Sequence, residues 1–397
     1  MKIAYFCDNF YPQVNGVVTA SLAIAKEMEN RGHEVLFVVI KPPKSYPFDS
    51  KKFPFELVMR RGIKAYFYPD FYLTSPFSLS IIRKLKKLGV DIIHYHSPMA
   101  IASQGIFVAK ILKKPLIGTF HTFFAEDEYL KVVHMDKFPF IKRIGWAFSN
   151  LFYNRCDIVT SPTQITKDIM LENHAKVPIE VLPNAIDLDI AKKAKKIDQK
   201  LVKKYKLDKI DKKKKKLVFV GRVSEEKSID LLIKGMPKIL EKDKNVELVI
   251  IGDGPIRKKL EKIAEDLNVI DNVFFTGMIP NKVLLSSGLM RFFDVYVTAS
   301  TSENHSISAL EAMIFELPMV GADAKGLKTA IKKNGYRFIP NNIDDYAKKI
   351  IKILSDKKKL KTMSKESFKL VETYSFKNIG DKWEKLYNKM IKLKSKK

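Results

Sequence analysis

Cysteine is all but missing from this chain of 397 residues: Cys7 and Cys156 are the only two. Both lie in apolar strand-like or helix-end stretches, so buried free thiols in a reducing compartment are expected rather than a disulfide framework. Long apolar runs are missing as well. No uninterrupted stretch approaches the length of a membrane span. The opening MKIAYFCDNFYPQ has only a short apolar run before Asp8 and Pro12, which is not the pattern of a secretory signal. No Gly-x-Gly-x-x-Gly occurs; Gly252-Asp253-Gly254 reads as a tight strand-to-helix turn, so a nicotinamide dinucleotide is not indicated. Arginine is scarce, ten residues against 62 lysines, and acidic residues are outnumbered 44 to 72, for a net charge of +28. Such lysine usage fits genome composition or a hot habitat, and equally an anionic partner, membrane or nucleic acid. The lysines are scattered, with concentrations at residues 192–216 and the C-terminus, and no known nucleic-acid motif accompanies them.

What is present is a globular composition, 46% apolar, in a chain long enough for two domains. Lys2–Cys7 reads as a strand, Val17–Asn30 as a helix stopped by Gly32, and His33–Ile40 as a second strand, a βαβ unit. Gly16, in the loop Asn15-Gly16, is either an ordinary turn glycine or one that lets a ligand reach the helix amides. Residues 41–80 read as irregular, with short strands at Phe55–Arg60 and Lys64–Tyr68. Asp91–Ser97 and Pro115–Thr122 are further buried strands around a helix at Ala100–Leu112. His121 ends the second of these, a structural histidine or a ligand contact. In Lys137–Arg155, Ile141, Ile144, Phe148, Leu151 and Phe152 share a helical face flanked by basic residues. That face either packs in the core or dips into anionic lipid, with Trp146 at the interface. Asp157–Pro162 is the last well-marked strand of this half.

After a lysine-dominated stretch read as solvated helix and linker, the βα pattern resumes: strands at Lys216–Gly221, Val246–Gly254, Val273–Met278, Asp294–Thr301 and Pro318–Asp323. Arg222 and Lys227 bracket the loop after the first of these, where two cations can neutralise a diphosphate. Glu303 falls in the loop after Asp294–Thr301 and Glu311 in the helix that follows. Ligands of open α/β sheets bind at that edge, and helix-start amides near Ser306 suit a phosphate. By spacing alone, the two carboxylates are a ligand pair or one loop and one solvated glutamate. Tyr374–Leu393 is an amphipathic helix, and the trailing KLKSKK is expected to be disordered.

Four separated motifs, in order, resemble the retaining glycosyltransferases of family four: Asn15-Gly16, Phe120-His121-Thr122, Gly221-Arg222 with Lys227, and Glu303-x7-Glu311. Val181–Asp187 resembles the turn that opens the second domain of that family. Glu303-Asn304-His305-Ser306-Ile307 stands where Glu-Gly-Phe-Gly-Leu is usual, and Glu316 stands at another usual glycine; the form looks closer to the membrane-lipid glucosyltransferases. The resemblance implies an α/β GT-B fold of two Rossmann-like domains, 1–180 for the acceptor and 181–376 for the nucleotide sugar, with 377–397 packing back onto the first. It implies a donor in the cleft between them. Arg222 and Lys227 would meet the diphosphate, His121 and Glu303 the sugar, Glu311 the ribose, and Gly16, Asn304, His305, Ser306 and Ile307 the donor. Asp127 and Tyr129 would lie near the acceptor, with Trp146 and Phe148 toward the membrane. No metal and no cofactor are expected. The donor is expected to be UDP-glucose, ahead of GDP-mannose, UDP-galactose and UDP-GlcNAc. The acceptor is expected to be a lipid hydroxyl such as diacylglycerol, at the inner face of the cell membrane of a cytoplasmic enzyme. A soluble sugar or glycan acceptor, a basic nucleic-acid-binding protein and a sugar-nucleotide epimerase are the alternatives.

Overall fold

The structure is a computed structural model and describes residues 1–11, 15–43, 45–64, 72–123, 126, 139–194, 197–211 and 213–396. The chain divides into two compact units. The first holds the described residues up to 123, those from 139 to 185 and the C-terminal stretch from Phe376; the second holds Ile186–Ser375.

The first unit is built on a parallel sheet. Its strands are β1 (Lys2–Cys7), β2 (Glu34–Ile40), β3 (Glu56–Arg60), β6 (Ile92–His96), β7 (Leu116–Thr119), β8 (Ile158–Ser161) and β9 (Ile179–Val181), in the order β3-β2-β1-β6-β7-β8-β9. A small antiparallel pair, β4 (Ile63–Lys64) and β5 (Tyr72–Leu73), stands apart. Neither β9 nor the helix α2 (Leu79–Leu88) is among the elements expected from the residue pattern. Helix α1 (Gly16–Asn30) starts where the Asn15 side chain accepts from the Val17 and Val18 amides and ends before Gly32, whose φ of +82° suits glycine. Helices α3 (Ala100–Leu112), α4 (Pro139–Tyr153) and α5 (Gln164–Glu172) complete this part of the chain.

The C-terminal helix of the chain also belongs to this unit. It runs over Phe376–Ser395, and its Ile379, Trp383, Leu386, Tyr387 and Met390 share a core with Tyr5, Phe37 and Met28. Each such burial contributes roughly 1.5–3 kcal/mol before the chain's ordering cost is counted. Gly380 permits the close approach: a Cβ there would sit 2.7 Å from the Glu27 side chain. Arg31 of the loop after α1 donates to Glu27, Asp381 and Glu384 at 2.7, 2.7 and 3.0 Å and to the Lys377 carbonyl at 3.0 Å. The last residues, expected to be disordered, are helical through Ser395, and Lys394 pairs with Asp157 at 2.9 Å.

The second unit opens with short helices α6 (Asp189–Lys193) and α7 (Gln199–Lys204). Ala191, Ala194, Val202, Leu207 and Ile210 are buried in its core, so the lysine-rich stretch is packed structure rather than a solvated linker. Its parallel sheet comprises β10 (Lys215–Val220), β11 (Val246–Ile251), β12 (Val273–Gly277), β13 (Val295–Thr298), β14 (Met319–Ala322) and β15 (Gly335–Phe338), in the order β12-β11-β10-β13-β14-β15. Here too the edge strand β15 is absent from the sequence reading. Helices α8 (Ile229–Lys242), α9 (Arg257–Asp266), α10 (Asn281–Ser286), α11 (Ile307–Ile314), α12 (Leu327–Ala330), α13 (Ile343–Ser355) and α14 (Lys357–Glu372) flank the sheet.

Candidate active site

Strand order reverses between β10 and β13 in the second unit, and between β1 and β6 in the first. Loops at the C-terminal ends of such neighbours diverge and leave a crevice.

In the second unit the loop after β10 carries Arg222 and Lys227, and the loop after β13 carries Glu303. The structure brings Lys227 and Glu303 together: Nζ donates to Oε1 at 2.6 Å, with both side chains largely buried. Burial pushes the Glu303 carboxyl up, but Lys227 and hydrogen bonds from Ser306 and Ser300 outweigh it and hold the group below the usual carboxylate range. Ser300 and Ser302 donate to the Glu226 carbonyl at 3.3 and 3.4 Å, tying the two loops together. Arg222 is exposed on the same loop as Lys227. Glu311, on α11, is buried rather than solvated; it accepts from Asn281 at 2.8 Å, and burial pushes its carboxyl up to about 7. Asn304, His305 and Ser306 are buried and Ile307 is half-buried at the start of α11. His305 packs edge-on against Tyr374, and Ser306 shares a hydrogen bond with Ser308, which bonds the Tyr296 hydroxyl.

Gly252, Gly254 and Gly326 shape this edge through close backbone approaches. Gly252 has a φ of +145°, and a Cβ on it would lie 1.8 Å from the Gly221 carbonyl oxygen. A Cβ on Gly254 would lie 2.2 Å from the Val223 carbonyl oxygen. The Gly221 and Val223 amides donate to Ile251 and Asp253 at 3.0 Å, so the β11 turn fixes the Arg222 loop from behind. Gly326 does the same for the other loop, its amide donating to the Glu303 carbonyl at 2.9 Å. The chain does contain an Asp-x-Asp, Asp187-Leu188-Asp189, but there Asp187 accepts from the Asp189 amide at 3.0 Å in a local turn at the start of α6. Among the described residues no group of three or more His, Cys, Asp or Glu could hold a metal ion.

In the first unit His121 follows β7, its Nε2 2.8 Å from Nδ1 of His96 on β6. Burial pulls the His121 pKa down to about 4, so the ring is neutral at ordinary pH. Gly16 is exposed at the start of α1, and a Cβ there would meet nothing within 4 Å. Asp8, at the end of β1, was not singled out by sequence; its carboxylate accepts from the Ile101 and Ala102 amides at 2.8 and 3.1 Å and caps α3. Asp127 and Tyr129 lie outside the described residues. Trp146 requires a correction. It is 3% exposed, with its ring parallel to that of Phe120 at 5.7 Å, so it belongs to the core and not to an interface. Phe152 is likewise buried. The outward stripe of α4 is Phe140, Ile144, Phe148 and Leu151, all exposed, beside Arg143.

Residues 14–190 match the family described as Glycosyltransferase Family 4, and residues 203–370 match Glycosyl transferases group 1. The chain belongs to the family-four glycosyltransferases. It is a hexosyltransferase by that membership, and its fold is GT-B. An alpha-monoglucosyldiacylglycerol synthase of Streptococcus pneumoniae is 26% identical to it over 81% of this chain and 70% of that one. Its counterpart in Acholeplasma laidlawii is 25% identical over 100% of this chain and 99% of that one. The crystal structure of HepE from Anabaena in complex with UDP-glucose superposes with a TM-score of 0.75 at 17% identity, covering 98% of this chain and 100% of that one. At that identity the likeness speaks for the fold alone. Among the described residues no helix is long and apolar enough to cross a membrane.

Proposed function

We propose that this glycosyltransferase moves a hexosyl group, with retention of configuration, from a nucleotide sugar to the hydroxyl of a membrane lipid. UDP-glucose is the proposed donor and diacylglycerol the proposed acceptor. The observation that carries the donor half is the Lys227–Glu303 pair at the β10/β13 switch point, with Arg222 exposed on the same loop. Two cations beside a fixed carboxylate suit a sugar diphosphate: the cations take the phosphates and the carboxylate takes a sugar hydroxyl.

In the proposed reaction the bond from the sugar's anomeric carbon to the phosphate oxygen breaks and negative charge grows on the leaving diphosphate. Arg222 and Lys227 stabilise that charge more strongly than they stabilise the ground state. The acceptor oxygen bonds to the anomeric carbon from the side the diphosphate leaves. A phosphate oxygen takes the acceptor's proton. Glu303 and His121 hold the sugar, Glu311 the ribose, and Gly16 with the 304–307 segment the rest of the donor. The lipid half is supported by the names of the two synthases and by the exposed apolar stripe of α4. A helix face of that kind, with a net charge of +28 behind it, suits an anionic surface on the cytoplasmic side of the cell membrane.

A thermal-shift panel of UDP-glucose, UDP-GlcNAc and GDP-mannose, followed by transfer to diacylglycerol in mixed micelles, tests both halves. A ligand at a hundred times its Kd stabilises the folded state by about 2.7 kcal/mol. UDP-glucose should stabilise and lipid should become glucosylated. Stabilisation by GDP-mannose or UDP-GlcNAc alone sinks the donor assignment; a glycosylated soluble sugar with no lipid product sinks the acceptor.

A further inference from the structure

β6 and β7 are parallel neighbours, with His96 opposite Thr119. His94 and His96 are two apart on β6 and share a face, their ring centroids 4.2 Å apart. His94 is clamped at both nitrogens: Nδ1 lies 2.9 Å from the Tyr387 hydroxyl and Nε2 2.6 Å from the Thr119 hydroxyl. The Tyr387 hydroxyl in turn lies 2.8 Å from that of Tyr5, and the Thr119 hydroxyl 2.7 Å from that of Thr160. His96 is packed against this chain of polar groups, 2% exposed, and reaches His121 through Nδ1 at 2.8 Å. Its other nitrogen, Nε2, is buried and has no hydrogen-bonding partner among the described residues.

That asymmetry decides where the protons sit. Burial keeps both rings neutral, so each carries one ring proton and the contact between them holds one. If His121 donated from Nε2, His96 would carry its own proton on Nε2, a buried N–H with nothing to accept it. If His96 donates from Nδ1, its Nε2 is a bare lone pair. A buried donor left unpaired is the rarer arrangement. The second arrangement is favoured, and it puts the proton of His121 on Nδ1.

We propose that His96 is a positioning residue that holds His121 as the Nδ1–H tautomer, so that His121 serves as a neutral hydrogen-bond donor to an oxygen of the transferred sugar and not as a base. The proposal rests on the reading of His121 as a sugar contact. It deepens that reading, because the acceptor's proton goes to a phosphate oxygen and no side-chain base is required.

Two-bond proton–nitrogen spectra of the uniformly nitrogen-15-labelled full chain report ring tautomers directly, with His121 assigned by its loss in His121→Ala. His121 should be protonated at Nδ1 and bare at Nε2. His96→Asn, whose side-chain amide can stand in for Nδ1–H, should keep that state; His96→Leu should abolish it. Transfer should slow by about tenfold or more in His96→Leu, recover in His96→Asn, and leave UDP affinity unchanged in both. A wild-type His121 protonated at Nε2 overturns the proposal even if the variants do not fold. So does an unchanged His121 tautomer in a folded His96→Leu. The tautomer as expected, with transfer unaffected in His121→Ala, keeps the hold of His96 on His121 and removes the sugar contact on which its function rests.

Discussion

Lys227→Ala separates the site's electrostatics from its packing. Lys227 and Glu303 meet at 2.6 Å with side chains 19% and 16% exposed. Removing the ammonium leaves the Glu303 carboxylate with neutral hydroxyl donors only. Breaking a fully buried pair costs about 3–5 kcal/mol; the remaining exposure brings this to about 2–3 kcal/mol. The pH dependence has a definite sign. In the wild type the Glu303 carboxyl is depressed, so its stabilisation is present above the unfolded value of about 4.3 and is lost as pH falls through the lower folded value. In Lys227→Ala burial dominates, the folded pKa lies above the unfolded one, and the variant recovers as the carboxyl protonates. The stability gap between the two proteins should therefore be largest near pH 8 and shrink toward pH 5. Urea denaturation at several pH values measures it. Lys227→Ala with Glu303→Gln should recover most of the stability, because no carboxylate is stranded. It should not recover UDP affinity, which loses a charge-assisted contact and falls about tenfold or more. A gap that does not change with pH, or a double variant no more stable than Lys227→Ala, refutes the coupling.

His121→Ala should slow sugar transfer far more than it weakens binding of UDP alone, since the proposed contact is to the sugar; equal losses in isothermal titration and in rate would return His121 to a structural role. Ile144→Asp with Phe148→Asp should abolish sedimentation with anionic liposomes in a protein that still melts normally, whereas Trp146→Ser should cost about 3 kcal/mol or more of stability because that ring is in the core. Glu311→Gln should flatten the pH dependence of stability: a buried carboxyl with a folded value of about 7 loses stability as pH rises from about 4.3 to 7, by about 1.4 kcal/mol per unit. Asp8, also pushed up to about 7, titrates in both proteins and cancels in the comparison. Glu316→Gly should raise the melting temperature, since Glu316 has a φ of +62° and a side chain there costs on the order of 1 kcal/mol.

Where the sheet strands are buried on both sides, the chain spells them out. β1, β2, β6, β11 and β13 are nearly continuous apolar runs, which only a doubly covered strand needs. β9 and β15 are short strands at sheet edges, so each carries too weak an apolar signal to stand out. α2 is different: Ile81, Ile82, Leu85 and Leu88 recur at helical spacing between its lysines, a signal present in the sequence although the expected elements omit it. Helix α4 exposes a different limit. Its continuous apolar face carries Phe140, Ile144, Phe148 and Leu151 and is exposed, while the buried Trp146 and Tyr153 fall on the side of Lys142, Ser149 and Asn150, so periodicity finds a face without saying which side is the core. Trp146 and Phe148 are only two residues apart yet lie on opposite sides of that question. The Lys227–Glu303 contact joins residues 76 apart and needs the adjacency of β10 and β13 before it can be seen. His96 is hidden in a strand that reads as core, and it is core; its partner at 2.8 Å makes it more than that.

The departures from the family pattern have one physical reading. A glycine is needed wherever two backbones touch, but either side of the contact can supply it. At the Glu303 loop the usual glycine is Asn304, and Gly326 lies opposite: a Cβ on Gly326 would sit 1.6 Å from the Asn304 carbonyl oxygen. The close approach is thus preserved from the facing loop, which the amide of Gly326 also binds. At Glu316 no partner can substitute, because the demand there is a left-handed backbone within the residue itself, and the glutamate bears the strain. A missing glycine therefore weakens a motif match only where the requirement is local. At Asn304 it is shared between two loops, and the loop that carries Glu303 keeps its support.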